Sequence, residues 1–111
     1  MNTFTVNGVT YTAKAFDFNM VCDFEDMGIS VADMGKKSNA FMRAYFSVCA
    51  GVPVEMAGKM IEEHIIKGGD MSTLANALAK EIEASDFFQT LIKNATKETT
   101  KKDKKAENSE K

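Results

Sequence analysis

The sequence predicts a small α+β domain: an N-terminal β-hairpin followed by a bundle of four or five helices, with a disordered charged C-terminal tail. Three observations predict it. Two alternating runs flank Asn7-Gly8 near the start, apolar residues beyond Asp17 recur at helical spacing between glycine stops, and apolar residues nearly vanish after Ile92. A chain of 111 residues accommodates one small core and no second one.

The hairpin comes first, in Thr3-Phe4-Thr5-Val6-Asn7-Gly8-Val9-Thr10-Tyr11-Thr12. Asn-Gly suits a type I′ turn, which demands positive φ at both central residues. That loop sets Val6 opposite Val9, Thr5 opposite Thr10 and Phe4 opposite Tyr11. One face then collects Phe4, Val6, Val9 and Tyr11, and the threonines line the other. A lone hairpin over residues 3–13 is marginal in water, so its apolar face must pack on the helices.

Asp17 is placed to cap a first helix with Met20, Val21, Phe24 and Met27 on one side and Gly28 as its stop. Ser30-Val31-Ala32-Asp33 reads as a capping box opening a short turn, which Gly35-Lys36-Lys37 breaks. Ser38 or Asn39 starts a helix carrying Phe41, Ala44, Tyr45 and Val48, ended by Gly51. Pro53 suits the first position of the next helix, with Met56, Ala57, Met60, Ile61, His64 and Ile65 along one side. Gly68-Gly69 stops it. Asp70 caps a helix carrying Leu74, Ala75, Leu78 and Ile82, and Ser85 starts a last one with Phe87, Phe88, Leu91 and Ile92. The folded domain is thus residues 1–92, its helices within 17–92. Residues 93–111 hold seven lysines and four acids, too polar to offset their own ordering entropy, and are expected to be disordered.

Charge narrows the function classes. The net is -2, with 14 basic and 16 acidic residues. The tail carries +3 of this, so the first 92 residues hold seven basic and twelve acidic groups, a net of -5. An acidic body with one arginine, Arg43, argues against a nucleic-acid-binding helix, including any helix-turn-helix across Gly51 or Gly68-Gly69. The tail lysines alternate with acids and lack aromatic partners for stacking bases. No run of about 18 apolar residues is present, so no membrane span is expected. The start, Met1-Asn2-Thr3-Phe4, does not read as a secretory signal. Two cysteines, Cys22 and Cys49, suit a reducing, cytoplasmic setting better than a disulfide framework.

No enzymatic constellation emerges. His64 is the single histidine, with no glycine elbow presenting a nucleophile near it, and reads as the edge of a helix face. Glu25-Asp26 and Glu62-Glu63 are adjacent pairs that diverge on a helix, so neither forms a dyad. Cys22, Cys49 and His64 lack metal-ligand spacing, and Gly68-Gly69 belongs to no phosphate loop. No catalytic, metal or cofactor-binding residue is expected, and no cofactor. What stands out is eight methionines and eight phenylalanines. Most fill the core, but Met side chains also coat adaptable binding surfaces. Phe87 and Phe88 lead as partner-binding candidates because consecutive helix residues cannot face one core, with Leu91, Met56 and Met60 beside them.

Several stretches together resemble the tail assembly chaperones of long-tailed bacteriophages, in the form common among phages of low-GC Gram-positive bacteria. They are Phe4-Thr5-Val6-Asn7-Gly8 with Tyr11, Phe16-Asp17-Phe18, Cys22-Asp23-Phe24-Glu25-Asp26-Met27-Gly28, Arg43-Ala44-Tyr45, Ala57-Gly58-Lys59, Glu63-His64-Ile65, Gly68-Gly69 and Ser85-Asp86-Phe87-Phe88. The resemblance implies a non-enzymatic protein acting in the host cytoplasm during virion assembly and absent from the mature virion. It implies binding to the tape-measure protein, recruitment of tail-tube protein, and self-association into a homo-oligomer, to which an open hairpin edge is suited. It also implies a longer product made by a frameshift, for which Lys101-Lys102 and Lys104-Lys105 offer candidate codons. A minor structural protein of the tail or head-tail junction is the alternative. A small helical DNA-binding regulator stands further off.

Overall fold

Asn7 and Gly8 both adopt positive φ, 54° and 76°, and close the turn as the Asn-Gly pair requires. In the computed structural model, which describes residues 2–30 and 33–94, strand β1 (Thr3–Val6) pairs antiparallel with β2 (Val9–Thr12). The register is the expected one, Phe4 opposite Tyr11 and Val6 opposite Val9. The expected apolar face is only half covered, however. Phe4 and Val6 are buried, whereas Val9 is 50% exposed. The reason is position: β1 makes most of the hairpin's contacts with the helices, and β2 meets them through Tyr11 rather than Val9.

Five helices follow among the described residues: α1 (Phe18–Asp26), α2 (Ser38–Ala50), α3 (Val54–Ile66), α4 (Ser72–Ala84) and α5 (residues 86–94). The fold is α+β, a two-stranded hairpin leading into a helical bundle. Asp17 caps α1 by accepting the Met20 N–H at 2.9 Å. At the other end Gly28, at φ 82°, allows a Schellman closure in which the Ile29 N–H reaches the Phe24 carbonyl at 2.9 Å. Ser85 caps α5: its hydroxyl accepts the Phe88 N–H and donates to the Phe16 carbonyl, tying the last helix to the loop before α1.

Three expected boundaries move. Pro53 is the N-cap of α3 and not its first helical residue, its ψ of 153° being extended while its carbonyl takes the Ala57 N–H. Asp70 stands one residue outside the Met71 N-cap of α4 and accepts from the Ser72 N–H and hydroxyl. The last helix continues through residue 94, past the expected end at Ile92. Of the expected capping box, the Ser30 N–H does donate to Asp33, while Val31 and Ala32 lie outside the described residues. So does the rest of the expected tail, residues 95–111.

Helix α2 is the spine. Phe41, Ala44, Tyr45, Phe46 and Ser47 are all buried, which covers nearly its whole circumference. The other elements surround it. Phe16 is the hub of one aromatic cluster, its ring 4.4 Å from Phe88, 5.5 Å from Phe24 and 5.9 Å from Phe41. A second cluster, Phe4, Tyr11 and Phe46, fastens the hairpin to α2 with centroids 5.2–5.9 Å apart. Such pairs add about 0.5–1.5 kcal/mol each beyond the area they bury.

The β1 edge is closed. The Thr73 hydroxyl on α4 accepts from the Thr5 N–H and donates to the Thr5 carbonyl, and Asn2 Nδ2 donates to the Ala77 carbonyl. The open hairpin edge expected for self-association is therefore absent on this side.

Candidate functional site

The five candidate partner-binding residues do not form one surface. Phe88 is 0% exposed, wedged against Phe16 in the core, so its assignment to a binding surface is wrong. Phe88 faces the core and Phe87 turns aside, half-buried, to meet Phe18 edge-to-face at 5.9 Å. Leu91 is also half-buried against the core. Met60 lies on α3 beneath the hairpin turn, where its carbonyl accepts Asn7 Nδ2 at 3.0 Å, and Met56, further along the same helix, is exposed.

Three further large apolar residues, outside the five candidates, are exposed. Phe18 is 63% exposed, and Ile65 and Ile66 are 49% and 75% exposed at the end of α3. Helix α3 buries only Ala57 fully, so the apolar side expected to be core is largely a rim. Between α2 and α3 this leaves a groove of about 350 Å³. Its lining is Ala40, Gly58, Ile61, Ile65 and Met71, with Asn39 and Arg43 at the α2 side. Gly58 makes the close approach possible: a Cβ there would sit 3.3 Å from Arg43 Cδ. A depression with a mostly apolar lining and few polar groups suits apolar side chains projecting from a partner. A second depression among the described residues mixes Lys14, Asp17, Asn19 and Asp23 with Ala13, Met20 and Val48, and is more polar than the first.

His64 is structural in its contacts. Its Nδ1 accepts the Asn7 N–H at 3.0 Å and its Nε2 meets the Asp70 carbonyl at 2.8 Å. Satisfying both requires the neutral ring with the proton on Nε2. The imidazole thus clamps the hairpin turn to the α3–α4 junction, with neither nitrogen left for chemistry. A Schellman closure ends α3 at this point, the Gly69 N–H bonding the His64 carbonyl, and the ring lies over Gly69 so closely that a Cβ there would be 2.4 Å from it.

The remaining polar groups serve the fold as well. Cys49 Sγ accepts the Lys14 N–H at 3.4 Å, and burial pushes its thiol above the ordinary value. The Tyr45 hydroxyl donates to the Lys14 carbonyl at 2.7 Å, and burial raises its phenol too. Asp70 is held below the ordinary carboxylate range by the Ser72 hydroxyl and N–H, and Asp33 by the Ser30 N–H. Among the described residues no group of three or more His, Cys, Asp or Glu could hold a metal ion. No helix among them is long and apolar enough to cross a membrane.

Fold and site together define a small α+β domain with a mostly apolar groove between two of its helices. Comparison with family models, curated proteins and solved structures finds no match for this chain.

Proposed function

We propose that this chain is a non-enzymatic phage tail assembly chaperone that binds and solubilises the tape-measure protein and helps recruit tail-tube subunits. The α2–α3 groove is the observation that supports this best. The apolar stripe of a partner helix needs a complementary apolar surface to seat some of its side chains, and Ala40, Ile61, Ile65 and Met71 offer one. Before the tube closes around it, a long helix with an unburied apolar stripe is an aggregation hazard. An acidic domain covering that stripe keeps the complex apart from its own kind by charge. Action in the host cytoplasm and absence from the finished virion belong to the same reading.

The test is co-expression with the long helical protein encoded nearby. The tape-measure protein is expected in the soluble fraction, co-purifying with this chain. A partner that stays insoluble while this chain is folded contradicts the proposal. Mass spectrometry of purified virions separates it from a minor structural role, since a structural protein stays in the particle.

A further inference from the structure

The charge at the rim of the α2–α3 groove is unbalanced. Arg43 is the single arginine of the chain, in a body of net charge -5 over residues 1–92. Among the described residues its guanidinium makes no ion pair or hydrogen bond; the one ion pair is Lys67 with Glu63 at 3.0 Å. Its stem runs against Gly58 of α3, so its charged end stands beside the apolar floor.

A helix laid on Ala40, Ile61, Ile65 and Met71 strips water from that guanidinium. Burying it unpaired opposes binding, whereas a carboxylate at the flank of the stripe turns it into a charge-assisted, bidentate contact. The rest of the body repels a uniformly acidic partner. Another copy of this chain fits this requirement poorly, because α3 presents three carboxylates, Glu55, Glu62 and Glu63, against Lys59 and Lys67, where one flanking carboxylate on a neutral or basic face is needed. We infer that the groove takes an amphipathic helix with a single carboxylate flanking its apolar stripe, paired with Arg43, on a polar face otherwise neutral or basic. This rests on the reading of the groove as a helix-binding surface.

Two synthetic peptides of about 20 residues, long enough to hold a helix, provide the probe. Both carry a repeating leucine stripe and a lysine polar face. They differ at one flanking position, which is Glu in the first and Lys in the second. The repeat lets the Glu reach Arg43 in more than one register. Fluorescence anisotropy measures each against the full chain and against Arg43→Glu, with thermal melts showing that the variant is folded. Net charge alone favours the all-lysine peptide. The inference gives the reverse, the Glu peptide binding about tenfold tighter, and a preference that inverts in Arg43→Glu. Equal binding, or an order unchanged by Arg43→Glu, overturns the carboxylate requirement and leaves the groove as a helix site. No binding of either peptide overturns the groove reading as well. A concentration-dependent dimer abolished by Arg43→Glu assigns the groove to another copy and overturns the inference.

Discussion

Replacing Gly69 by alanine separates the His64 clamp from everything else that holds the hairpin. Gly69 does not sit in the left-handed region, so alanine fits its backbone. What alanine meets is the imidazole, with Cβ at 2.4 Å from Cε1 and Nε2. The ring must leave, and both its hydrogen bonds, 3.0 Å to the Asn7 N–H and 2.8 Å to the Asp70 carbonyl, go with it. At about 0.5–1.5 kcal/mol each, the loss is roughly 1–3 kcal/mol. Against this, Gly→Ala restricts the unfolded chain and contributes about 0.4–1 kcal/mol of stability. In wild type the substitution should therefore destabilise by about 1–2 kcal/mol. In a His64→Ala background the obstacle is gone, and Gly69→Ala should stabilise by about 0.4–1 kcal/mol. Urea unfolding of the four proteins, read at constant m-value, measures this cycle. The same sign in both backgrounds would refute the clamp.

Phe88→Ala removes a fully buried ring and should cost about 3–5 kcal/mol, whereas Phe87→Ala, losing a half-buried ring packed on Phe18, should cost about 1 kcal/mol and leave the chain folded; thermal melts rank the two. Cys49 and Tyr45 ionise above their ordinary values of 9.0 and 10.0 in the folded state, so their neutral forms stabilise the fold below those pH values and that contribution is lost as pH rises beyond them. Stability measured from pH 7 upward should therefore decline above about pH 9, and Cys49→Ser should shallow the first part of that decline. Asp70 and Asp33 titrate below 3.8, so the hydrogen bonds they accept from Ser72 and Ser30 persist at neutral pH and fail as pH falls through the lowered values; Asp70→Asn should weaken the acid dependence of the melting temperature.

Local chemistry was legible in the sequence. Asn7-Gly8 determines the turn and with it the register, and Asp17, Gly28 and Ser85 each act within a few residues of themselves. Which residues are covered was not, because cover comes from distant segments. Val9 has the same strand pattern as Val6, yet the helices cover Val6 on β1 and reach β2 at Tyr11 instead. Phe46 lies outside the predicted stripe because a helix buried around most of its circumference has no single apolar face for periodicity to reveal. Ile65 misleads for the opposite reason: an apolar flank of α3 looks like core until the width of the neighbouring helix face is known. The His64 clamp spans 57 residues to Asn7, beyond any local motif. Arg43 was visible as the lone arginine, but its place beside an apolar groove depends on how α2 and α3 meet.

The central claim is that the α2–α3 groove holds the apolar stripe of a partner helix. The most direct measurement is the soluble yield of tape-measure protein co-expressed with wild type, Ile65→Gln or Ile66→Gln. Both isoleucines are exposed, so neither change should move stability by more than about 0.5 kcal/mol. Only Ile65 lines the groove. The account predicts that Ile65→Gln lowers the yield sharply while Ile66→Gln leaves it at the wild-type level. Equal yields from all three folded proteins would contradict it.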